Sequence, residues 1–434
     1  MKRGLLLYLT LLALAAGAIH WYWRIAEKSP VVAPEGNLQD LPSLSSVDVR
    51  PIRVNLTSKP RREFEVTVAG GFTLQTIDDG RVLHRGDELE GVFVESTSDG
   101  IRVDGSDYEV PQLELVPDSP PAIWIGDHQY RGTIRFHRAS NERMTAVNVV
   151  ALDEYLASVV DSEMPLEFGR AARQAQAVVA RTYVLYQAQR APRAARFDVY
   201  ATTRSQKYLG FQYRDRRGRR LAGESEDSRQ IVRDTAGVVC THQGDLFCTY
   251  YCAACGGRTV QGDEIFADAA SPLQSVECEW CAPAPLSAWR KEISKADVAR
   301  HLSRLFNSRD KPFGQLASIR ADAATSIGSE ARFTVTDGTH RYRLSATQLR
   351  AHLPSVGLPS SRFSISEHKD GLVFEGRGHG HGVGLCQWGA RGLARAGRTA
   401  TEILEHYYPG VELRRLPSEE DLPSAARVGP SPTL

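Results

Sequence analysis

The sequence predicts an α+β protein: a mixed, β-rich N-terminal region followed by a core organised on a helix pair that carries the candidate catalytic acid. Three observations predict it. Residues 48–144 break into short alternating runs, among them Val49–Leu56, Phe64–Val68, Gly91–Ser96 and Gly132–His137. Gly70-Gly71, Asp78-Asp79-Gly80, Asp99-Gly100 and Asp104-Gly105 separate them, which is strand-and-turn chemistry. From Leu152 the period changes, and Leu152, Tyr155, Leu156, Val159 and Val160 fall on one helical face. A second, alanine-rich helix follows over Gly169–Gln189, where Ala171, Ala175, Val178, Thr182 and Leu185 leave room for a close neighbour.

The chain has 434 residues, 42% hydrophobic, with a net charge of +1, which suits two or three globular domains. No basic block argues for nucleic acid, and none is expected as a partner. Lys2 and Arg3 precede an apolar run from Leu5 to Trp23 that ends in Trp21-Tyr22-Trp23, then Arg24 and Lys28. Residues 1–28 therefore read as a single membrane anchor with an exported body. Ala16-Gly17-Ala18 also fits a cleavage site, so a removed signal peptide and a secreted body is the alternative. Residues 29–47, with Pro30, Pro34 and Pro42, read as a linker.

A strand over Thr145–Leu152 feeds the first helix, whose first turn holds Asp153 and Glu154 and which Pro165 ends. Glu163 extends the apolar face at the C-terminal end of that helix. Burial and the helix dipole there both favour the neutral acid, the form a general acid needs. The competing reading pairs Glu163 with Arg170 or Arg181. Asp161, two residues earlier, faces elsewhere.

The segments DEYLASVVDSEMP and AQAVVARTYVLYQ resemble the SpoIID/LytB domain family. The resemblance continues through YCAACGGRT (Tyr251–Thr259), GRGHGHGVGLCQWG (Gly376–Gly389) and ILEHYYPG (Ile403–Gly410). It implies a core over 145–416, elaborated at 290–361. It also implies a peptidoglycan lytic transglycosylase acting on glycan strands stripped of stem peptides, or an enhancer of a cell-wall amidase. The family's catalytic acid is the glutamate of the S-E-M-P block, which is Glu163. No cofactor is required for that chemistry. Arg181, Thr203, Gln206, Tyr208, His379, His381 and Gln387 are the candidate substrate-binding residues. Some members hold zinc near the glutamate in the block after the second helix; here Arg204 and Ser205 stand at those positions, so such a zinc is not expected. The Arg214–Arg220 run reads as a solvated loop, with contact to anionic wall polymers as the alternative.

Seven cysteines occur, and Cys252/Cys255 and Cys278/Cys281 are C-x-x-C pairs. They can deliver four thiolates to a structural zinc, the preferred reading, or form disulfides, which an exported protein favours. Cys240 and Cys248 flank a hairpin turn and suit a cross-strand disulfide. Cys386 reads as a small buried apolar residue.

Glycine at every second position from Gly376 to Gly384 predicts close backbone approach to a ligand or a neighbouring helix. His379 and His381 could bond a sugar, orient Glu163 or bind metal, or simply satisfy buried backbone groups. Trp388 reads as core or as a sugar-stacking ring. Thr399-x-x-Glu402 predicts a capped helix over Ala400–Tyr408. Residues 417–434 are expected to be disordered.

Overall fold

A computed structural model describes residues 41–44, 47, 49–306, 313–322, 331–353, 356–368 and 371–417. The expected anchor or signal at 1–28, most of the linker and the tail beyond 417 lie outside the described residues. Among the described residues no helix is long and apolar enough to cross a membrane.

The fold is α+β. Two sheets make the β-rich region. The first has seven strands in the order Val199–Tyr200, Ile52–Asn55, Arg143–Val150, Thr133–Ala139, Gln112–Pro117, Phe72–Gln75, Val82–Gly86. The second has eight: Arg220–Ala222, Gln212–Arg214, His128–Tyr130, Ile123–Ile125, Glu63–Val68, Leu89–Ser96, Ile101–Val103, Ser106–Tyr108. Alternation decides their inner faces: in Glu63–Val68 every second residue, Phe64, Val66 and Val68, is buried. Asp104 and Gly105 both take positive φ, 47° and 76°, and turn the last hairpin as a two-residue loop requires. The β-rich region is not closed by residues before the helices. Val199–Tyr200 adds parallel to Ile52–Asn55, and the 212–222 hairpin adds to His128–Tyr130.

Seven helices are described: α1 (Leu152–Glu163), α2 (Arg170–Arg190), α3 (Glu226–Asp234), α4 (Lys295–Phe306), α5 (Ala346–His352), α6 (Gln387–Arg395) and α7 (Ala400–Tyr407). α2 is the axis of the core. Ala172, Ala175, Val178, Val179, Val184 and Leu185 are buried along it, and α1, α3, α6 and α7 all pack against it. Its small residues let polar groups from neighbours reach its backbone. Thr249 Oγ1 donates to Val179 O at 2.8 Å, and Thr182 Oγ1 accepts the Cys240 amide at 2.9 Å. Arg173, fully buried, is neutralised by Asp161 and Asp227, which ties α1 and α3 to α2. Asp161 thus faces away from Glu163.

Residues between Trp289 and Gly376 have their own core of Trp289, Val298, Leu302, Phe333, Leu349, Phe363 and Phe374. Two three-stranded sheets and helices α4 and α5 enclose it. This unit contains the less characteristic stretch 290–361.

Candidate active site

Helix α1 ends where Met164 turns extended, its amide still bonded to Val160 O at 2.9 Å, and Pro165 forbids another turn. Glu163 is therefore the last helical residue, and its carboxylate enters a cleft of about 430 Å³. Three donors from three separate segments converge on it. The Lys207 amide donates to Oε1 at 2.8 Å and the Tyr251 phenol to the same oxygen at 3.2 Å. Gln387 Nε2 donates to Oε2 at 3.2 Å. Glu163 is half-buried and well partnered, in place of the burial on an apolar face expected of it. Neither arginine offered as its partner reaches it. Arg170 pairs with Asp234. Arg181 is fully buried, donates to Val238 O at 3.1 Å and Val232 O at 3.4 Å, and lies 3.8 Å from Asp153.

Thr203, His379, His381 and Gln387 line the cleft with Glu163. Three other candidates do not, and their roles are corrected. Arg181 is a core cation held by carbonyls of the α3 end and the following strand. Tyr208 is buried, donates to Asn148 Oδ1 at 2.8 Å and packs on Tyr155 at 5.1 Å between ring centres. Gln206, fully buried, accepts the Tyr155 hydroxyl at 2.9 Å. Both brace the wall from behind, because the loop carrying them turns inward after Ser205.

Neither histidine bonds Glu163. His381 accepts the Val383 amide on Nδ1 at 3.1 Å, and its ring meets the edges of Tyr250 and Phe266. Burial first, then the nearby Arg350 charge, pushes its imidazole down to about 4, so it is neutral at neutral pH. The same two causes lower His379. Tyr250 and Phe266 stack face to face at 3.6 Å, and Asp268 accepts the Tyr250 hydroxyl at 2.8 Å. Trp388 is not in the cleft; it packs edge-on against Phe168.

The alternating glycines serve the neighbouring segment Tyr250–Cys255. A side chain at Gly384 would strike Tyr250 O, and one at Gly378 would strike Ala254 O. His379 and Ala254 exchange backbone hydrogen bonds at 2.7 and 3.1 Å, and Leu385-Cys386 runs parallel to Tyr251-Cys252. This pairing sets Gln387, the first residue of α6, beside Glu163.

All seven cysteines are free thiols, so neither disulfide reading holds. The four-sulfur cluster forms, but with one ligand exchanged. Cys255, Cys278, Cys281 and Cys386 are buried with all four sulfurs within 4.8 Å of one another. Cys252, expected in the set, lines the cleft instead. Strand pairing explains the exchange: Cys386 lies beside Cys252, and the Cys255 amide donates to Cys386 Sγ at 3.3 Å. The donors fit a tetrahedral zinc. With Zn–S near about 2.3 Å, sulfurs in such a site stand about 3.8 Å apart; Cys255 and Cys281 Sγ are 3.7 Å apart. Amides of Gly257 and Gly389 also point at Cys281 and Cys386 Sγ, each at 3.3 Å, as thiolate ligands require.

Sequence reasoning missed the Lys207 amide, the Tyr251 hydroxyl, Arg350 and the Tyr250–Phe266 pair. Tyr251 stood inside a recognisable block; a backbone donor such as that of Lys207 has no sequence signal.

The fold and site define an α+β protein with a cleft centred on one helix-terminal glutamate. Residues 140–242 match the family described as stage II sporulation protein, SpoIID, and residues 284–384 match a domain of unknown function, DUF8618. An uncharacterized protein of Brachyspira hyodysenteriae is 28% identical over 75% of this chain and 82% of its own length. Stage II sporulation protein D of Bacillus amyloliquefaciens is 27% identical over 65% of this chain and 78% of its length. The amidase enhancer of Bacillus subtilis is 25% identical over 67% of this chain and 45% of its length. The family match and these relatives together support the resemblance to the SpoIID/LytB family.

Proposed function

We propose that this protein is a peptidoglycan lytic transglycosylase, cutting glycan strands between N-acetylmuramic acid and N-acetylglucosamine. The observation that carries the reading is Glu163: among the described residues it is the one carboxylate lining the cleft. Hydrolytic glycosidases use two. A transglycosylase that closes a ring within its substrate needs one. Glu163 protonates the glycosidic oxygen as the bond from the muramic anomeric carbon breaks, and the leaving N-acetylglucosamine keeps that proton on its 4-hydroxyl. The muramic 6-hydroxyl attacks the anomeric carbon, and ionised Glu163 takes the hydroxyl proton. The product is a 1,6-anhydro ring; no water is consumed and Glu163 ends as it began. Tyr251 and the Lys207 amide hold Oε1, and Gln387 aligns Oε2.

The second reading is a wall-binding enhancer of a cell-wall amidase, which the similarity to the amidase enhancer favours. Digestion of peptide-free glycan strands by the wild type and Glu163→Gln, read by mass spectrometry, separates the two. The enzyme reading expects anhydro-muramic ends from the wild type and a loss of roughly 10²–10⁴-fold in the variant. No anhydro ends, with faster turnover of an added amidase, supports the enhancer.

A zinc ion on Cys255, Cys278, Cys281 and Cys386 completes the proposal. Four protein ligands leave no open position, so its part is structural: it fixes the start of α6 and with it Gln387. The sequence features of residues 1–28 support export, with the N-terminal segment as a membrane anchor or, alternatively, as a cleaved signal.

A further inference from the structure

We infer that Arg350, supplied to the cleft by the inserted 289–376 unit, binds a carboxylate carried by the glycan, the free acid of the muramic acid lactyl ether. The inference rests on the proposal that glycan strands occupy this cleft, and it adds the group that selects among them.

Arg350 lies on α5, a short helix fixed at its start by reciprocal bonds between Ser345 and Gln348 and anchored by fully buried Leu349. The guanidinium is half-buried among the residues lining the cleft, together with Glu163, His379 and Gln387. Its Nε donates to Leu358 O at 3.1 Å, which fixes the plane of the fork. Among the described residues no carboxylate pairs with it, although most arginines of this chain that are similarly covered have one: Arg50 and Arg53 share Asp198, Arg131 has Glu224, and Arg173 has Asp161 and Asp227. Partial burial destabilises the Arg350 charge, and an anionic ligand would offset that. Arg204, stacked on Tyr200 at 4.1 Å, is the other arginine lining the cleft, so two cations face one carboxylate there. A neutral sugar cleft has no use for that balance. A glycan bearing one carboxylate per disaccharide does, and a planar guanidinium whose Nε is already held, leaving its Nη edge for the ligand, is the geometry that takes it.

The acid occurs free only where the stem peptide has been removed, since the peptide is joined through that carboxyl as an amide. Stripped strands are the substrate that the family resemblance already implies; what Arg350 adds is the group that reads them.

The test uses the exported chain in two forms, Glu163→Gln and Glu163→Gln with Arg350→Ala, so that binding is read without turnover. The probes are peptide-free glycan strands and the same strands with the lactyl carboxyl converted to a methyl amide. Calorimetry is expected to show the acid strands bound roughly 10–100-fold tighter by the first form, and no preference in the second. Arg350→Lys on the same background should keep part of the preference, which a fold defect would not. Thermal melting checks that each variant is folded. Equal affinity of the first form for both strands overturns the inference, as does a preference that survives Arg350→Ala. Turnover by the wild type is measured separately: anhydro ends without a carboxylate preference would leave the enzyme standing and Arg350 refuted, and carboxylate-selective binding without anhydro ends would do the reverse.

Discussion

Gln387 Nε2 donates to Glu163 Oε2 at 3.2 Å, joining residues 224 positions apart at the centre of the cleft. The amide also faces Gln176 Oε1 at 3.4 Å, so its orientation is set from α2. The contact holds the carboxylate in one rotamer at the end of a helix that could otherwise fray.

Removing that hold should cost rate more than binding. Gln387→Leu is expected to lower kcat roughly 10–100-fold on peptide-free strands with little change in KM, because a small displacement of the acid is enough. Steady-state kinetics alongside Glu163→Gln checks the ranking, with Gln387→Leu the milder of the two.

The cysteine cluster makes an exchange-sensitive prediction. Cys386→Ser should lose the bound metal and lower the melting temperature, whereas Cys252→Ser should keep the metal at one ion per chain. A strong chelator should mimic Cys386→Ser, since structural zinc contributes folding energy directly. Elemental analysis of the purified protein reads both results.

Acid should weaken the fold through His137. It is 4% exposed, its Nε2 has no partner among the described residues, and burial, reinforced by Arg196, Arg135 and Arg53, pushes it from 6.5 down to about 4. The folded value lies below the unfolded one, so the unfolded chain binds the extra proton first. The stabilisation is complete above about pH 6.5 and is lost as pH falls toward 4, on the order of 1–3 kcal/mol. Urea melts at pH 7 and pH 4.5 should show a smaller difference for His137→Gln than for the wild type.

Gly389 sits where a side chain would strike the Tyr407 phenol and Cys278 Sγ. Gly389→Ala should destabilise by about 3 kcal/mol, the range of an overpacked core. It should also weaken metal retention, because the collision falls on a ligand. Denaturant midpoints and zinc content together check it, and Gly314→Ala, where the nearest atom lies at 3.8 Å and the backbone is not left-handed, is the control.

Much of this arrangement was legible locally. The switch from alternating to helical period located both the sheets and α1, and Pro165 located the end that presents Glu163. What failed depended on long-range pairing. Cys386 lies 131 residues from Cys255, and only the parallel pairing of Leu385-Cys386 with Tyr251-Cys252 brings it into the cluster. The expectation that Arg181 and Tyr208 bind substrate rests on the family resemblance alone. Carbonyls at Val232 and Val238, and Asn148, satisfy their polar groups inside the core. Arg350 gave no local signal, since nothing in its own stretch says which cleft α5 borders.

Cys281 and Cys386 stand just outside the two ends of the inserted unit, and their sulfurs belong to one cluster. The segment between them therefore leaves and rejoins the body at one place. Lengthening a loop whose ends are already pinned adds little closure entropy. Changes within the segment can thus leave undisturbed the contact between Gln387 and Glu163 that begins one residue beyond Cys386.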